Sequence, residues 1–294
     1  MRVGVIDVGS NTARLLVARR GIGAVVPVQE ERALLALGDE IERFGRISDL
    51  KLAETAERAR RYAQRARELG CHSLSVIVTA PGRRSENAGA LLGVLERATG
   101  VPVRLLSADE EGRLAFGGAI MNVPALPARV TVCDVGGGST EIVTGTPAGG
   151  PESCCSVDVG SLVLTRRFLD ADPPGKKALA RARAAVECAF DGIEGSTADL
   201  ALATGGTAGA LRRLTGTRVL GPDELARAAR ALAKCTSVET AREFGLDQVR
   251  ARTLLAGTVI LVETQRRLGM PLEVARGGLR EGAAAALLAT AVAA

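Results

Sequence analysis

The residues best suited to chemistry lie in one stretch, where two acids flank a run of glycines and hydroxyl side chains. Asp134 and Glu141 enclose the letters VGGGST. Glycines after a strand let backbone N–H groups approach an anion closely, and hydroxyl groups add further donors. Carboxylates are the hard oxygen ligands that suit Mg²⁺, so Asp134 and Glu141 are predicted metal ligands. The predicted phosphate ligands are Gly136, Gly137, Gly138, Ser139 and Thr140.

A similar pattern stands near the N-terminus, where Asp7 opens the letters DVGSNT. The predicted phosphate ligands of this turn are Gly9, Ser10 and Asn11. Neither turn is a Walker motif, because GxxxxGK[ST] does not occur in the chain. Two such turns facing each other would hold a chain of phosphates from both sides.

Three further motifs are candidates for the same site. In SADEEGR, from Ser107, acids favour the first turn of a helix, and one glutamate could instead activate water for attack on phosphorus. Arg83 follows a buried strand and could bind phosphate through two N–H groups. Gly206 and Thr207 open a predicted helix, whose N-terminus suits an anion. A capped turn or helix start without any ligand explains each of the three about equally well.

The elements around these motifs predict an α/β protein with an internal repeat. Val3–Gly9 and Val130–Gly136 share Val, Val, Asp, Val and Gly at matching positions, and each runs on into a second strand. This repeat predicts two similar halves, and strands that alternate with helices predict an α/β fold. Pro124 and Pro127 indicate a hinge. We therefore predict domains at 1–122 and 123–294, with a last helix at about 279–294 that can pack back on the first.

Composition excludes several classes of function. Aromatic residues make up only 2% of the chain, which argues against a nucleic-acid partner bound by base stacking. His72 is the only histidine, and the six cysteines form no CxxC pair, so a zinc cluster is not expected. The N-terminus lacks a secretory apolar region, and the Ala/Leu-rich tail is too short to span a bilayer. We expect a cytoplasmic protein that is not bound to membranes.

Taken together and in order, the motifs resemble the exopolyphosphatase/guanosine pentaphosphatase (Ppx/GppA) family over essentially the whole chain. TAPGRRSEN from Thr79, SVDVGSLVLTRRF from Ser156, TGGTAGAL from Thr204 and GGLREG from Gly277 complete the resemblance. Two places depart from the family pattern. The first is the loop around Arg83, where Ala80-Pro81 replaces the usual Ser-Ala and Ser85 replaces an alanine. The second is Gly112, where the family usually has alanine.

The resemblance implies two actin-like domains of the ASKHA, ribonuclease H-like class, with the active site in the cleft between them. It implies that Glu111 is the catalytic glutamate and that Asp134 and Glu141 are metal-associated acids. We extend the catalytic role to Glu141 and the metal role to Asp7. The implied reaction is Mg²⁺-dependent hydrolysis of terminal phosphates from inorganic polyphosphate by an activated water. A homodimer is common in the family.

Three alternatives remain at this point. Guanosine pentaphosphate could be the substrate of the same machinery, because no residue separates it from polyphosphate. A non-hydrolytic sensor of such a polyanion is a second alternative, although the set Glu111, Asp134 and Glu141 argues against it. An actin-like sugar kinase or ATPase is the third, and no adenosine-pocket pattern supports it.

Overall fold

The computed structural model describes residues 1–22, 24–193 and 197–293. Contacts divide the chain into two compact units, Met1–Asn122 with Gly277–Ala294 (unit 1) and Val123–Arg276 (unit 2). Each unit is built on one mixed sheet with helices, which confirms the predicted α/β class. No helix within the described ranges is both long enough and apolar enough to cross a membrane.

The strands of unit 1 are β1 (Arg2–Val8), β2 (Thr12–Arg20), β3 (Val25–Leu34), β4 (Ser73–Val78) and β5 (Val103–Leu105). They form a five-stranded sheet in the order β3-β2-β1-β4-β5. β1 and β3 are antiparallel to β2, whereas β4 is parallel to both β1 and β5. The helices are α1 (Leu37–Phe44), α2 (Asp49–Glu68), α3 (Ala80–Arg84), α4 (Ala88–Thr99), α5 (Ala108–Ile120) and, from the C-terminus, α12 (Leu279–Ala293).

The central strand of unit 1 is buried on both of its faces. Ile6 and Val8 belong to a core cluster that includes Tyr62 of α2. Val3 and Val5 point to the opposite face, into a cluster that α12 completes. A strand buried on both faces reads as a continuous apolar run, which is why β1 was visible in the sequence. Asp7 interrupts the run near the end of the strand, where a polar group is tolerated.

The strands of unit 2 are β6 (Val130–Val135), β7 (Thr140–Thr146), β8 (Gly150–Val157), β9 (Leu200–Thr204), β10 (Val219–Leu220) and β11 (Leu272–Val274). The helices are α6 (Ser161–Phe168), α7 (Lys176–Ala189), α8 (Gly205–Thr215), α9 (Pro222–Leu232), α10 (Ser237–Phe244) and α11 (Gln248–Leu268). The sheet order is β10-β11-β9-β6-β7-β8. From β8 to β11 this repeats the order and the strand directions of unit 1, so the predicted pair of similar halves is confirmed.

Several short elements were not predicted. The sequence pattern predicts a loop after β4, but residues Ala80–Arg84 form the short helix α3. The amphipathic pattern around Ser85–Thr99 predicts a helix there, and the observed helix α4 begins at Ala88. Neither α1 nor β10 was predicted. The Val-rich run Ala24–Glu30 predicts a strand, and the observed strand β3 continues beyond it to Leu34. Both α1 and α3 connect parts of the candidate site.

Helices α5 and α12 cross at a point where only glycine fits. A Cβ added to Gly118 of α5 would lie 1.9 Å from the carbonyl oxygen of Gly278. A Cβ added to Gly282 of α12 would lie 1.9 Å from the carbonyl oxygen of Leu114. Backbone atoms cannot yield as a flexible side chain can, so this crossing depends on glycine in both helices.

Gly118→Ala is therefore expected to lower the free energy of unfolding of the chain by about 3 kcal/mol, the upper range for overpacked cores. The matched control is Gly117→Ala on the same helix, because a Cβ there meets nothing within 4 Å. Alanine is the better helix former, so the control should be neutral or stabilising by up to about 1 kcal/mol. Urea denaturation of both variants tests the difference. Equal midpoints would contradict the close crossing.

Candidate active site

The two acids of the second hairpin lie side by side. Asp134 of β6 and Glu141 of β7 are direct cross-strand partners, so their side chains share one face of the sheet. Glu141 is only 1% exposed, and its Oε1 accepts a hydrogen bond of 3.0 Å from the Ser156 hydroxyl. Asp134 lies against Gly205, whose φ of +86° favours glycine and whose added Cβ would be 2.7 Å from Asp134 Oδ1. Two carboxylates are thus fixed at one end of unit 2.

The glycine turn between these acids is held by the start of α6. The N–H of Gly136 donates to the carbonyl of Ser139, which closes the hairpin. The carbonyl of Gly136 accepts from the Ser161 N–H at 2.9 Å, and that of Gly137 accepts from the Leu162 N–H at 3.0 Å. In a trans peptide the C=O and the following N–H point in opposite directions. The N–H groups of Gly137 and Gly138 therefore point away from α6, as they must to bind an anion.

The first hairpin has the same construction. The N–H of Gly9 donates to the carbonyl of Thr12 at 3.0 Å. The carbonyls of Ser10 and Asn11 accept N–H groups from residues 35, 36 and 38, where α1 begins. Each unit thus directs the carbonyls of its turn at the helix that follows its third strand. Asn11 Oδ1 is buried and has no hydrogen-bond partner within the described part of the chain.

The two hairpins differ in the residue that lies opposite the strand-end aspartate on the neighbouring strand. The cross-strand partner of Asp7 is Arg14, at the position that corresponds to Glu141. Burial raises the pKa of the Asp7 carboxyl, the positive charges of Arg280 and Arg14 lower it, and Glu281 raises it further. Arg280 and Glu281 belong to the GGLREG motif, to which the sequence reasoning gave no role. The first hairpin is therefore electrostatically mixed, and the second presents two acids.

The two adjacent glutamates at the start of α5 have different partners. Glu110 forms a capping box with Ser107, with its carboxylate 2.9 Å from the Ser107 N–H. Glu111 is only 7% exposed, and its Oε2 lies 2.7 Å from Nη1 of Arg83. The same Nη1 donates to the carbonyl of Leu106 at 3.0 Å. The structure therefore brings together Glu111 and Arg83, which the sequence placed in separate motifs.

Helix α3, which carries Arg83, and the residues after it are anchored to the α1 region. The neighbouring Arg84 pairs with Glu42 of α1. The side chain of Asn87 exchanges two hydrogen bonds with the backbone of Ile47, at 2.8 and 2.9 Å. Because the start of α1 holds the first turn and its end holds α3, α1 links the first turn to Arg83. Asn87, the last residue of the TAPGRRSEN motif, is thus engaged within the protein.

Gly206 and Thr207 lie at the start of α8, directly after Gly205. Thr207 is fully buried, and a Cβ on Gly257 of α11 would come within 2.4 Å of its hydroxyl. A Cβ on Gly206 would lie 2.2 Å from Nη2 of Arg250. Arg250 therefore places a guanidinium beside the start of α8, near Asp134. The sequence reasoning missed it, because one arginine in an arginine-rich helix carries no distinctive signal.

The donors present fit a divalent ion that takes few protein ligands. No group of three or more His, Cys, Asp or Glu side chains in the described ranges could hold a metal alone. Mg²⁺ does not need one, since it commonly binds through one or two carboxylates, water and substrate phosphates. The adjacent Asp134 and Glu141 supply that minimal set. Asp7, with a cationic neighbour, is a weaker ligand candidate.

Comparison with known proteins gives a consistent answer. A model of the Ppx/GppA phosphatase family matches residues 16–291. Exopolyphosphatase 1 of Mycobacterium tuberculosis (strain H37Rv) is 31% identical over 300 residues, covering 96% of this chain and 87% of the relative. A crystal structure of the Aquifex aeolicus Ppx/GppA family member is 26% identical, with a TM-score of 0.83 over 100% of this chain and 98% of that one.

A structure of an exopolyphosphatase from Cytophaga hutchinsonii is 19% identical and has a TM-score of 0.86, covering 99% of this chain and 98% of that chain. At this identity the likeness concerns the fold alone. Together with the strand order of the two sheets, the structural neighbours confirm the predicted class of two actin-like α/β units.

Proposed function

We propose that this chain, which belongs to the Ppx/GppA phosphatase family, releases terminal phosphates from inorganic polyphosphate in a Mg²⁺-dependent reaction. Family membership makes the chain a phosphoanhydride hydrolase. What we propose beyond this class is that the substrate is polyphosphate, that the metal is Mg²⁺ and that particular residues have the roles given below. The name of the mycobacterial relative, exopolyphosphatase 1, supports the choice of polymer.

The observation that carries the proposal is the hairpin Asp134–Glu141 held against α6. Two consecutive peptide N–H groups point away from the helix, beside two adjacent carboxylates. N–H groups of this kind suit phosphate oxygens, and the carboxylates suit a cation that neutralises them. The turn Gly9–Asn11, with its matching hydrogen bonds, is proposed as a second phosphate-holding loop. Ser139, Thr140, Gly206 and Thr207 are proposed to add contacts to the phosphates.

Glu111 is proposed to orient the attacking water and accept its proton. A carboxylate in this role must be held in place, and Arg83 holds Glu111 at 2.7 Å. The water then attacks the terminal phosphorus in line with the leaving oxygen, the bond to the bridging oxygen breaks, and orthophosphate leaves. Arg83 is also proposed to contact the phosphates. In such a reaction the protein contributes mainly positioning and charge stabilisation.

Asp134 and Glu141 are proposed to hold Mg²⁺, with Glu141 also counted among the catalytic residues. When bound, this ion would neutralise phosphate charge and orient the phosphate oxygens. The Ser156 hydroxyl fixes the direction of the Glu141 carboxylate through its 3.0 Å hydrogen bond. Asp7 is proposed as a further metal ligand, second to this pair because Arg14 is its direct neighbour.

Phosphate release from long-chain polyphosphate, guanosine pentaphosphate and ATP, each with and without Mg²⁺, tests this proposal. We expect release from polyphosphate that exceeds release from the other two and that stops when the metal is chelated. Faster release from guanosine pentaphosphate would replace the polymer with the alarmone as substrate. Binding of either polyanion without any release would favour the sensor, and ATP as the best substrate would favour an ATPase.

A further inference from the structure

Helix α7 of unit 2 exposes four positive charges on one face. Lys176, Lys177, Arg181 and Arg183 are all exposed, and no acid occurs before Glu187. At 100° per residue these four side chains fall within an arc of about 160°. Ala182 and Val186, on the other side of the helix, are buried in the core of unit 2. We call the four exposed residues the cationic face of α7.

This face differs from two other charged helices, α2 and α11, in which cations are paired with acids. On α2, Glu57 pairs with Arg60 and Arg61 at 2.9 and 2.7 Å. On α11, Glu263 pairs with Arg266 and Arg267, each at 2.7 Å. Within the described ranges, no acid pairs with any member of the cationic face of α7. Glu187 falls in the same arc of the helix, but its carboxylate pairs with Arg266 of α11 at 3.5 Å. The four positive charges of the cationic face are thus not compensated, whereas those of α2 and α11 are.

The cationic face begins at the end of unit 2 that carries the candidate site. Near the start of α11, Arg252 donates to the carbonyls of Leu169 and Asp170, in the segment that leads into α7. In the last turn of α11, Arg267 donates to the carbonyl of Glu187 near the end of α7. The two helices therefore run in the same direction. Arg250, beside Gly206, marks the start of α11 as the end nearest Asp134.

We propose that the cationic face of α7 binds a long polyphosphate chain beyond the terminal phosphates that the enzyme removes. The proposal rests on the proposed function. Polyphosphate carries a negative charge on every unit, so a run of uncompensated cations attracts it at any register along the polymer. The exposed side of α7 carries no aromatic residue on which a nucleic-acid base could stack. Polyphosphate is therefore the occupant that the face fits.

The test compares two fourfold variants that lose the same charge. One carries Lys176→Gln, Lys177→Gln, Arg181→Gln and Arg183→Gln, and the control carries Lys51→Gln, Arg60→Gln, Arg61→Gln and Arg65→Gln on α2. Both lower the formal net charge from +5 to +1 and keep good helix formers. For the α7 variant we expect KM for long-chain polyphosphate to rise at least about tenfold, with kcat and the KM for tripolyphosphate within about twofold.

The control should change KM for the long polymer by less than about twofold, because its cations are already paired. Equal KM values for the two variants, or a rise that is the same for tripolyphosphate, would overturn the proposal and leave the proposed function intact. If the wild type released no phosphate, fluorescence titration of long polyphosphate onto wild type and the α7 variant would still decide the point. Competition by single-stranded RNA as strong as by polyphosphate of equal charge would assign the face to RNA instead.

Discussion

Replacing Glu111 with glutamine is expected to lower kcat for phosphate release from polyphosphate by about 10²- to 10⁴-fold, the range for loss of a general base. Glutamine keeps the size of the side chain but cannot accept the proton of the attacking water. The amide can still accept a hydrogen bond from Arg83, so the ion pair at 2.7 Å is weakened without leaving a cavity. Binding of polyphosphate should stay within about twofold. Initial rates and a binding titration measure the two effects separately.

The matched control is Glu110→Gln on the adjacent residue. Glu110 closes the capping box with Ser107, and glutamine serves in the same position of such a box. The control should therefore keep nearly full activity and stability, although it removes the same charge from the same helical turn. Wild-type activity in the Glu111→Gln variant, or equal losses in the two variants, would remove Glu111 from the role of base.

The paired hairpins were predictable because each is encoded by contiguous residues. A Val-rich strand, an acid and a glycine-bearing turn recur at Asp7 and Asp134, and both form the expected hairpins. The distinction between the two glutamates was also within reach of the sequence. The spacing from Ser107 to Glu110 is that of a capping box, which leaves Glu111 without a capping role.

Other parts of the site could not be predicted from the sequence, because they depend on tertiary contacts. α1 starts after Ala36, which has a left-handed φ of 56° and makes no side-chain cap, so the sequence carries no start signal. α3 is five residues long and contains both proline and glycine, which favour a loop in isolation. Arg250 became a candidate site residue only in the folded structure, where its guanidinium lies beside Gly206. Local propensity carries no information on any of these contacts.

The hydrogen bonds between α6 and the glycine turn lead to the second large expected effect, that of Gly160→Ala. A Cβ on Gly160 would lie 2.3 Å from the carbonyl carbon of Gly137 and 2.5 Å from the Gly138 nitrogen. To relieve this clash the turn must move away from α6, and the two N–H groups proposed to face the phosphate move with it. Misplacement by about 1 Å costs on the order of 10²-fold in rate, so kcat/KM should fall by about that factor.

Gly175→Ala is the control that separates a moved turn from a weakened helix start. Gly175 caps the start of α7 as Gly160 caps that of α6, both in extended conformation, but a Cβ at Gly175 meets nothing within 4 Å. Both substitutions exchange a favoured cap residue for alanine. If the turn at Gly137 is what matters, only Gly160→Ala loses activity, while Gly175→Ala keeps it within about twofold. Equal kcat/KM values for the two variants would mean that α6 does not hold the turn in its active position.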